Sequence, residues 1–379
     1  MIEYHKPYWN QKIMKNIGDQ LNGNPYENPY ELHETLVEAF KKLPLYQSVK
    51  HVHFLNSATS ALEVMALALK LKPEDEIILP AFTHVSTANA FVRTGAKLKF
   101  VDIEPQSLNL DVRKVEAAIT DQTRAIIPIH YASINPEFKA LIDLSKVYGI
   151  TLLEDASHCM NSGHQNKGYG LYGAMGCLSF HQTKNITSGG HGGCLFVNDE
   201  RFNEDCLEII NHGTNRVAFS EGKVKNYQWQ QVGSELMMSP YQMRFLLETL
   251  PYVDAITERR KTIWKRYQEA LAPLVKAERL KCSTGESGNG HIFYILLNTE
   301  AEKNRVMEKL RINGIQAMTH YEPLHKSPMG NKLGFQRSKL EITESVAGRL
   351  LRLPIHTELS DADQMRIIEH LLDIFTEVL

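Results

Sequence analysis

Three polar clusters follow short apolar runs, and each carries residue types that can do chemistry. Asn56-Ser57-Ala58-Thr59-Ser60 ends the first run and opens a helical pattern. Small hydroxylated residues at a helix start present free backbone N–H groups, and the helix dipole adds positive potential, which suits a phosphate. An ordinary Ser/Thr cap accounts for the same residues. Asp155 closes the run Leu152-Leu153-Glu154-Asp155, with Ser157-His158 just beyond. A carboxylate at the end of a buried strand needs a positive charge or hydrogen bonds; a structural salt bridge or an N-cap also meets that need. Lys184 leaves the run Cys177-Leu178-Ser179-Phe180 and heads into Gly189-Gly190-His191-Gly192-Gly193. A lysine held there and partly desolvated has a lowered pKa and attacks carbonyls. The competing reading is a surface lysine in a turn.

The three clusters gain meaning together. Pyridoxal 5'-phosphate needs an anion site for its phosphate, a carboxylate to keep its pyridine nitrogen protonated, and a lysine for its aldehyde. One crossover and one strand separate Asp155 from Lys184, so both fall at the same sheet edge.

The elements that must position these residues recur along the chain. Apolar runs at His51–Leu55, Ile77–Pro80, Leu98–Asp102, Ala125–His130, Thr151–Asp155, Cys177–Phe180 and Gly193–Val197 read as strands buried on both faces. Helical patterns such as Ala61–Leu71, Asp111–Ile119 and Asn135–Tyr148 alternate with them. The expectation is an α/β fold, a mostly parallel seven-stranded sheet covered by helices, with ligands at the strands' carboxyl ends. Past Pro240 the texture changes. Helices are expected at Tyr241–Leu250, Ile256–Leu271, Glu300–Ile312, Glu341–Leu351 and Asp361–Leu379, with strands at Ile292–Leu297 and near Ile315. We divide the chain into an N-terminal arm or cap (1–45, helical over Tyr30–Leu43), a large α/β domain (46–250) and a small C-terminal α+β domain (251–379).

The 379 residues carry 42 basic and 44 acidic side chains, so bulk charge calls for no nucleic acid or acidic membrane. No apolar run approaches a membrane span, and the N-terminus lacks a signal pattern. Five cysteines without a C-x-x-C pair read as reduced, buried thiols of a cytoplasmic protein. Gly168-Tyr169-Gly170-Leu171-Tyr172-Gly173 fits G-x-G-x-x-G but follows a polar stretch instead of a strand. It reads as a turn, which disfavours a nicotinamide oxidoreductase. His51 and His53 lack a second ligand cluster and read as structural, with no metal expected.

These motifs, with Leu79-Pro80-Ala81-Phe82-Thr83-His84, Phe100-Val101-Asp102-Ile103 and Ser179-Phe180-His181-Gln182-Thr183-Lys184, resemble the DegT/DnrJ/EryC1/StrS sugar aminotransferases among fold-type I pyridoxal-phosphate enzymes. The stretches His212-Gly213-Thr214-Asn215-Arg216, Tyr227-x-Trp229, Val232-Gly233-Ser234 and His320-Tyr321-Glu322-Pro323-Leu324-His325 are similar to the dTDP-4-amino-4,6-dideoxyhexose (galactose or glucose) transaminases.

The resemblance implies roles. Lys184 would bond the cofactor's aldehyde carbon and later shuttle the proton. Asp155 would pair with the pyridine nitrogen, and His158 would lie near the ring. Ala58, Thr59 and Ser179 would hold the phosphate. His84 stands where the family usually stacks an aromatic ring. Ser234, beside Glu235, stands where many relatives place an asparagine that reaches a neighbouring subunit's phosphate. Arg216, Tyr321 and His325 would contact substrate. The implied reaction moves an amino group from L-glutamate to a dTDP-4-keto-6-deoxyhexose for surface polysaccharide synthesis, in a homodimer. A ketosugar dehydratase of the same family would carry histidine in place of Lys184. A non-catalytic pyridoxal-phosphate-binding regulator is the reading from another class.

Overall fold

The computed structural model describes residues 1–379 except 24–26, 135–136, 284–287, 336–337 and 377–379. The start of one expected helix (residues 135–136) and the end of another (residues 377–379) therefore lie outside the described residues.

All seven expected strands of the large sheet form: β1 His51–Leu55, β2 Glu76–Pro80, β3 Lys97–Val101, β4 Thr123–Ile126, β5 Thr151–Asp155, β6 Met175–Ser179 and β7 Gly193–Val197. Their order is β1-β7-β6-β5-β4-β2-β3. The ladders from β6 through β5, β4 and β2 to β3 are parallel, whereas β7 runs antiparallel to both β1 and β6. Successive side chains alternate between two cores, as a pleated strand requires. Phe54, Ile78, Ile126, Leu152, Leu178 and Phe196 enter one. Leu55, Ile77, Ala125, Leu153, Cys177 and Leu195 enter the other. Both faces are thus covered, which explains the nearly continuous apolar runs.

Helix Pro29–Lys41 lays Leu32, Leu36 and Phe40 into the first core. Beyond it, a 24-residue helix, Val253–Lys276, packs against a three-stranded antiparallel sheet of β8 Leu280–Cys282, β9 Tyr294–Leu297 and β10 Leu350–Arg352. Two of these strands escape the sequence pattern. The helix expected over Glu341–Leu351 ends at Arg349, and Leu350–Arg352 pairs with β9. A short leucine run satisfies either period, and here the neighbouring strand decides. Ile315 forms an isolated bridge to Ile2 instead of a strand. All five cysteines are buried and free of disulfides.

The Gly168–Gly173 stretch has a structural use. Its turns aim the N–H groups of Gly170, Tyr172 and Gly173 at the buried Glu154 carboxylate (2.9, 2.6 and 2.7 Å), which His130 Nε2 also meets at 2.8 Å.

Candidate active site

A cavity of about 620 Å³ opens at the carboxyl ends of the parallel strands. It gathers Ala58, Thr59, His84, Asp155, His158, Ser179, Lys184 and Tyr321.

Its anion-binding edge is the start of helix Ala58–Ala68. Ser57 is the N-cap, extended at φ −166°, and its Oγ accepts from the Ser60 N–H at 3.0 Å. The Ala61 N–H bonds back to the Ser57 carbonyl. The N–H groups of Ala58 and Thr59 belong to the first turn, where an α-helix supplies no internal acceptor. Gly193 starts β7 against this turn. A Cβ there would lie 2.3 Å from the Ala58 nitrogen, so only glycine lets strand and helix start approach so closely.

Asp155, buried at the end of β5, has both carboxylate oxygens held. Thr87 Oγ1 donates to Oδ2 at 2.7 Å, and the N–H and hydroxyl of Ser157 donate to Oδ1 at 3.1 and 2.5 Å. His84 sits at the cavity wall as the N-cap of helix Val85–Val92. Its Nδ1 accepts from the Ser86 N–H at 3.2 Å, and Thr59 Oγ1 donates to Ser86 Oγ at 2.9 Å. The ring is therefore tethered to the anion edge.

Lys184 lies in the loop joining the antiparallel pair β6 and β7, braced by bonds from Phe180 N–H to the Gly192 carbonyl and from Gln182 N–H to the Gly190 carbonyl. Burial lowers its amine from 10.5 to about 8, although Asp155 pulls the other way. The His158 and Tyr321 rings lie near-parallel (7°) with centroids 6.4 Å apart, meeting through Tyr321 Oη, 3.2 Å from His158 Nε2. Burial, and then the charge of Lys184, hold the His158 pKa well below the ordinary value, so the ring is neutral. Among the described residues its buried Nδ1 has no hydrogen-bond partner. His291 and His320 are likewise held neutral, chiefly by burial.

Three sequence-picked residues stand apart. Arg216 is exposed and lies over the Tyr30 ring at 5.4 Å. Ser234 is exposed, and its backbone pairs with Ile209 and His212. His325 is sequestered, with Nε2 3.0 Å from Glu344 Oε1. None lines the cavity of its own chain. Conversely, Tyr4, Arg260, His291 and Arg352, which carry no motif in the sequence, line it. Tyr4 comes from the N-terminal segment and the other three from the part of the chain beyond residue 250. Thr87 was within reach, since it lies three residues beyond His84, one helical turn along the same face.

The chemistry open to this cavity is that of a buried amine of lowered pKa beside an oriented carboxylate and a helix start suited to an anion. The profile of the DegT/DnrJ/EryC1/StrS aminotransferase family matches residues 7–372. A pleiotropic regulatory protein of Geobacillus stearothermophilus is 30% identical over 335 residues, 87% of this chain and 86% of that protein. The UDP-2-acetamido-2-deoxy-3-oxo-D-glucuronate aminotransferase of Pseudomonas aeruginosa is 28% identical over 334 residues, 88% of this chain and 89% of that one. NtdA of Bacillus subtilis, solved with bound cofactor PMP, superimposes with a TM-score of 0.86 at 26% identity, covering 97% of this chain and 83% of the other. The chain belongs to the DegT/DnrJ/EryC1/StrS aminotransferase family.

Proposed function

We propose that the protein uses pyridoxal 5'-phosphate to move the amino group of L-glutamate onto a nucleotide-linked keto sugar. The acceptor is dTDP-4-keto-6-deoxy-D-glucose, the product a dTDP-4-amino-4,6-dideoxyhexose for surface polysaccharide synthesis. The observation that carries this reading is the meeting of Lys184, Asp155 and the Ala58 helix start in one cavity.

The residues fit the cofactor. Ala58 and Thr59 N–H with the Ser179 hydroxyl suit its phosphate, Asp155 its ring nitrogen, and Lys184 its aldehyde. When bound, the cofactor supplies a carbonyl for amine exchange and an electron sink for the charge left by deprotonation. The chain's residues do the rest. Thr87 and Ser157 fix the Asp155 carboxylate, which would keep the ring nitrogen of a bound cofactor protonated. Lys184, with its pKa near 8, is neutral in roughly one molecule in ten at pH 7 and so takes the α-proton of the donor at Nζ. Neutral His158 and the His84 wall shape the cavity without adding charge beside that amine. Ser234 and Arg216, both exposed, would serve a site only in a second copy, and we propose a homodimer.

The test is direct. Protein supplied with pyridoxal phosphate should turn yellow, and borohydride should fix the adduct on the Lys184 peptide. L-glutamate should bleach the colour, and dTDP-4-keto-6-deoxyglucose should restore it, with ring couplings in the NMR spectrum of the product assigning its stereochemistry. A colourless protein sinks the reading. A yellow protein that glutamate never bleaches is a binder and not a transaminase.

A further inference from the structure

A second cavity, of about 590 Å³, opens at the opposite end of the large sheet, where β5 and β6 begin and β7 ends. About 13 Å of strand separates Thr151 on its wall from Asp155 in the first cavity. Lys50, Lys146, Lys167 and Arg201 line it, and Asp199 is the sole acid in the lining, although acids outnumber bases over the whole chain. Asp199 is already engaged. Its oxygens take Arg201 Nε at 3.1 and 3.0 Å and Nη2 at 2.6 Å. Glu154, buried behind the wall, has its carboxylate filled by three backbone N–H groups and by His130. Among the described residues no carboxylate comes within ion-pair distance of Lys50, Lys146 or Lys167. Lys167 is half-buried, with Nζ 4.8 Å over the Tyr172 ring. Burial and the nearby charge of Lys50 lower its amine, against the pull of Glu154. Lys146 on its own is explained by the helix dipole, since it sits in the last turn of helix Phe138–Tyr148. Three lysines from separate segments facing one cavity are not. Like charges gathered there repel one another until an anion joins them.

We propose that this cavity binds a small ligand carrying two or more linked phosphates, held by Lys50, Lys146 and Lys167. The inference goes beyond the transamination reading and does not depend on it. The volume falls within the range of small-ligand sites, about 300–1,000 Å³. The cations converge on a cavity and do not run along a face, which favours a small molecule over nucleic acid or a membrane. Ammonium groups are compact point charges with three donors each, and they suit tetrahedral phosphates better than planar carboxylates, which call for an arginine fork. A single phosphate is small beside this volume, whereas a linked chain reaches lysines on different walls. The helix end beneath offers little opposition. The carbonyls of Ser145 and Lys146 are taken by the N–H groups of Ile150 and Gly149, at 2.9 and 3.4 Å, which reduces the negative potential held against an anion.

The experiment titrates the protein by calorimetry with inorganic tripolyphosphate, orthophosphate and adenosine triphosphate. Each titration is run with and without saturating pyridoxamine 5'-phosphate, which brings a phosphate to the first cavity but no aldehyde that could react with these lysines. Two double variants are compared, each checked for native circular dichroism. Lys50→Gln with Lys167→Gln strikes the cavity. Lys12→Gln with Lys15→Gln removes the same charge from an exposed helix that does not line it. Tripolyphosphate should bind whether or not pyridoxamine phosphate is present, at least about tenfold tighter than orthophosphate, because each further phosphate meets another lysine. The cavity pair should weaken it about tenfold, the loss of two partly screened ion pairs, and the surface pair by less than about twofold. Adenosine triphosphate separates the sources: tighter binding than tripolyphosphate assigns the site to a nucleotide, weaker binding to free polyphosphate, and in both the phosphate chain is the group held. No binding of tripolyphosphate, or orthophosphate binding as tightly, overturns the proposal. So does displacement by pyridoxamine phosphate, an unchanged affinity in the cavity pair, or an equal loss in the surface pair, which would reduce the effect to bulk charge.

Discussion

Thr87 Oγ1 donates its hydrogen to Oδ2 of Asp155 at 2.7 Å, across two elements that leave the sheet at different strands. Thr87 follows β2 in the helix Val85–Val92, and Asp155 ends β5. The bond fixes the carboxylate from the side that Ser157 leaves free. Thr87→Val keeps the shape and removes the donor. A buried hydrogen bond to a charged group is worth about 1.5–3 kcal/mol, so the variant should unfold at lower urea and transaminate roughly ten- to a hundredfold more slowly. Equal urea midpoints and equal glutamate half-reaction rates would show that Ser157 alone orients Asp155.

The lowered Lys184 pKa sets a pH dependence. In the unfolded chain the amine keeps its proton to about 10.5, whereas the native cofactor-free protein sheds it near 8. Between those values the unfolded state binds more protons, so this group's contribution to native stability rises with pH across the window and is flat below it. Only the neutral amine attacks an aldehyde. Uptake of pyridoxal phosphate should therefore accelerate with pH and level off above about 8. An inflection near 10.5 would mean that the amine is solvated. Lys184→Ala should fold, lose that inflection and fail to turn over; multiple turnovers in this variant would remove Lys184 from the mechanism.

Gly193 joins the anion edge to the sheet. In Gly193→Ala the new methyl meets the backbone of Ser57 and Ala58, at 2.6 Å from the Ser57 carbonyl carbon and 2.3 Å from the Ala58 nitrogen, and backbone cannot swing aside as a side chain does. The helix start should move, and the phosphate-binding N–H groups with it. Cofactor affinity should fall at least about tenfold, the worth of one charge-assisted bond, while affinity for pyridoxal lacking the phosphate changes little. Fluorescence titration with both compounds separates this local effect from general unfolding, which would weaken both alike.

What the sequence made legible follows from how locally each feature is encoded. Asp155, Lys184 and the Ser57 cap each sit at the end of one apolar run, so strand periodicity places them at the same edge without any long-range information. Tyr4, Arg260 and Arg352 reach the cavity through tertiary packing. Tyr4 arrives because Ile2 bridges Ile315 and the Tyr4 carbonyl accepts from Ile355, and nothing near Tyr4 in sequence announces that. His325 shows the converse. It belongs to a motif-like stretch, yet the turn Leu324–Lys326 turns its ring toward Glu344 and out of the cavity. The strand β10 was hidden because Leu350 and Leu351 suit a helix as well as a ladder.

Asn289 makes the most demanding case of such long-range placement. Its side-chain amide donates to the carbonyls of His158 and Met160 at 2.8 and 2.7 Å, and its Oδ1 accepts from the His291 N–H at 3.0 Å. Its own carbonyl accepts from Asn185 Nδ2 at 2.9 Å, one residue past Lys184. One fully buried residue thus ties the turn after β5, through its side chain, to the lysine loop, through its main-chain carbonyl. Asn289→Asp keeps the acceptor for His291 but has no amide hydrogens for His158 and Met160, and it brings a charge into a dry site. Each orphaned carbonyl costs about 1–3 kcal/mol, so Asp should destabilise at least as much as Ala, although it is nearly isosteric with Asn. Urea denaturation of the two variants decides this. If Asn289→Asp were as stable as the parent protein, the two donated bonds would not be what holds His158 against the lysine loop.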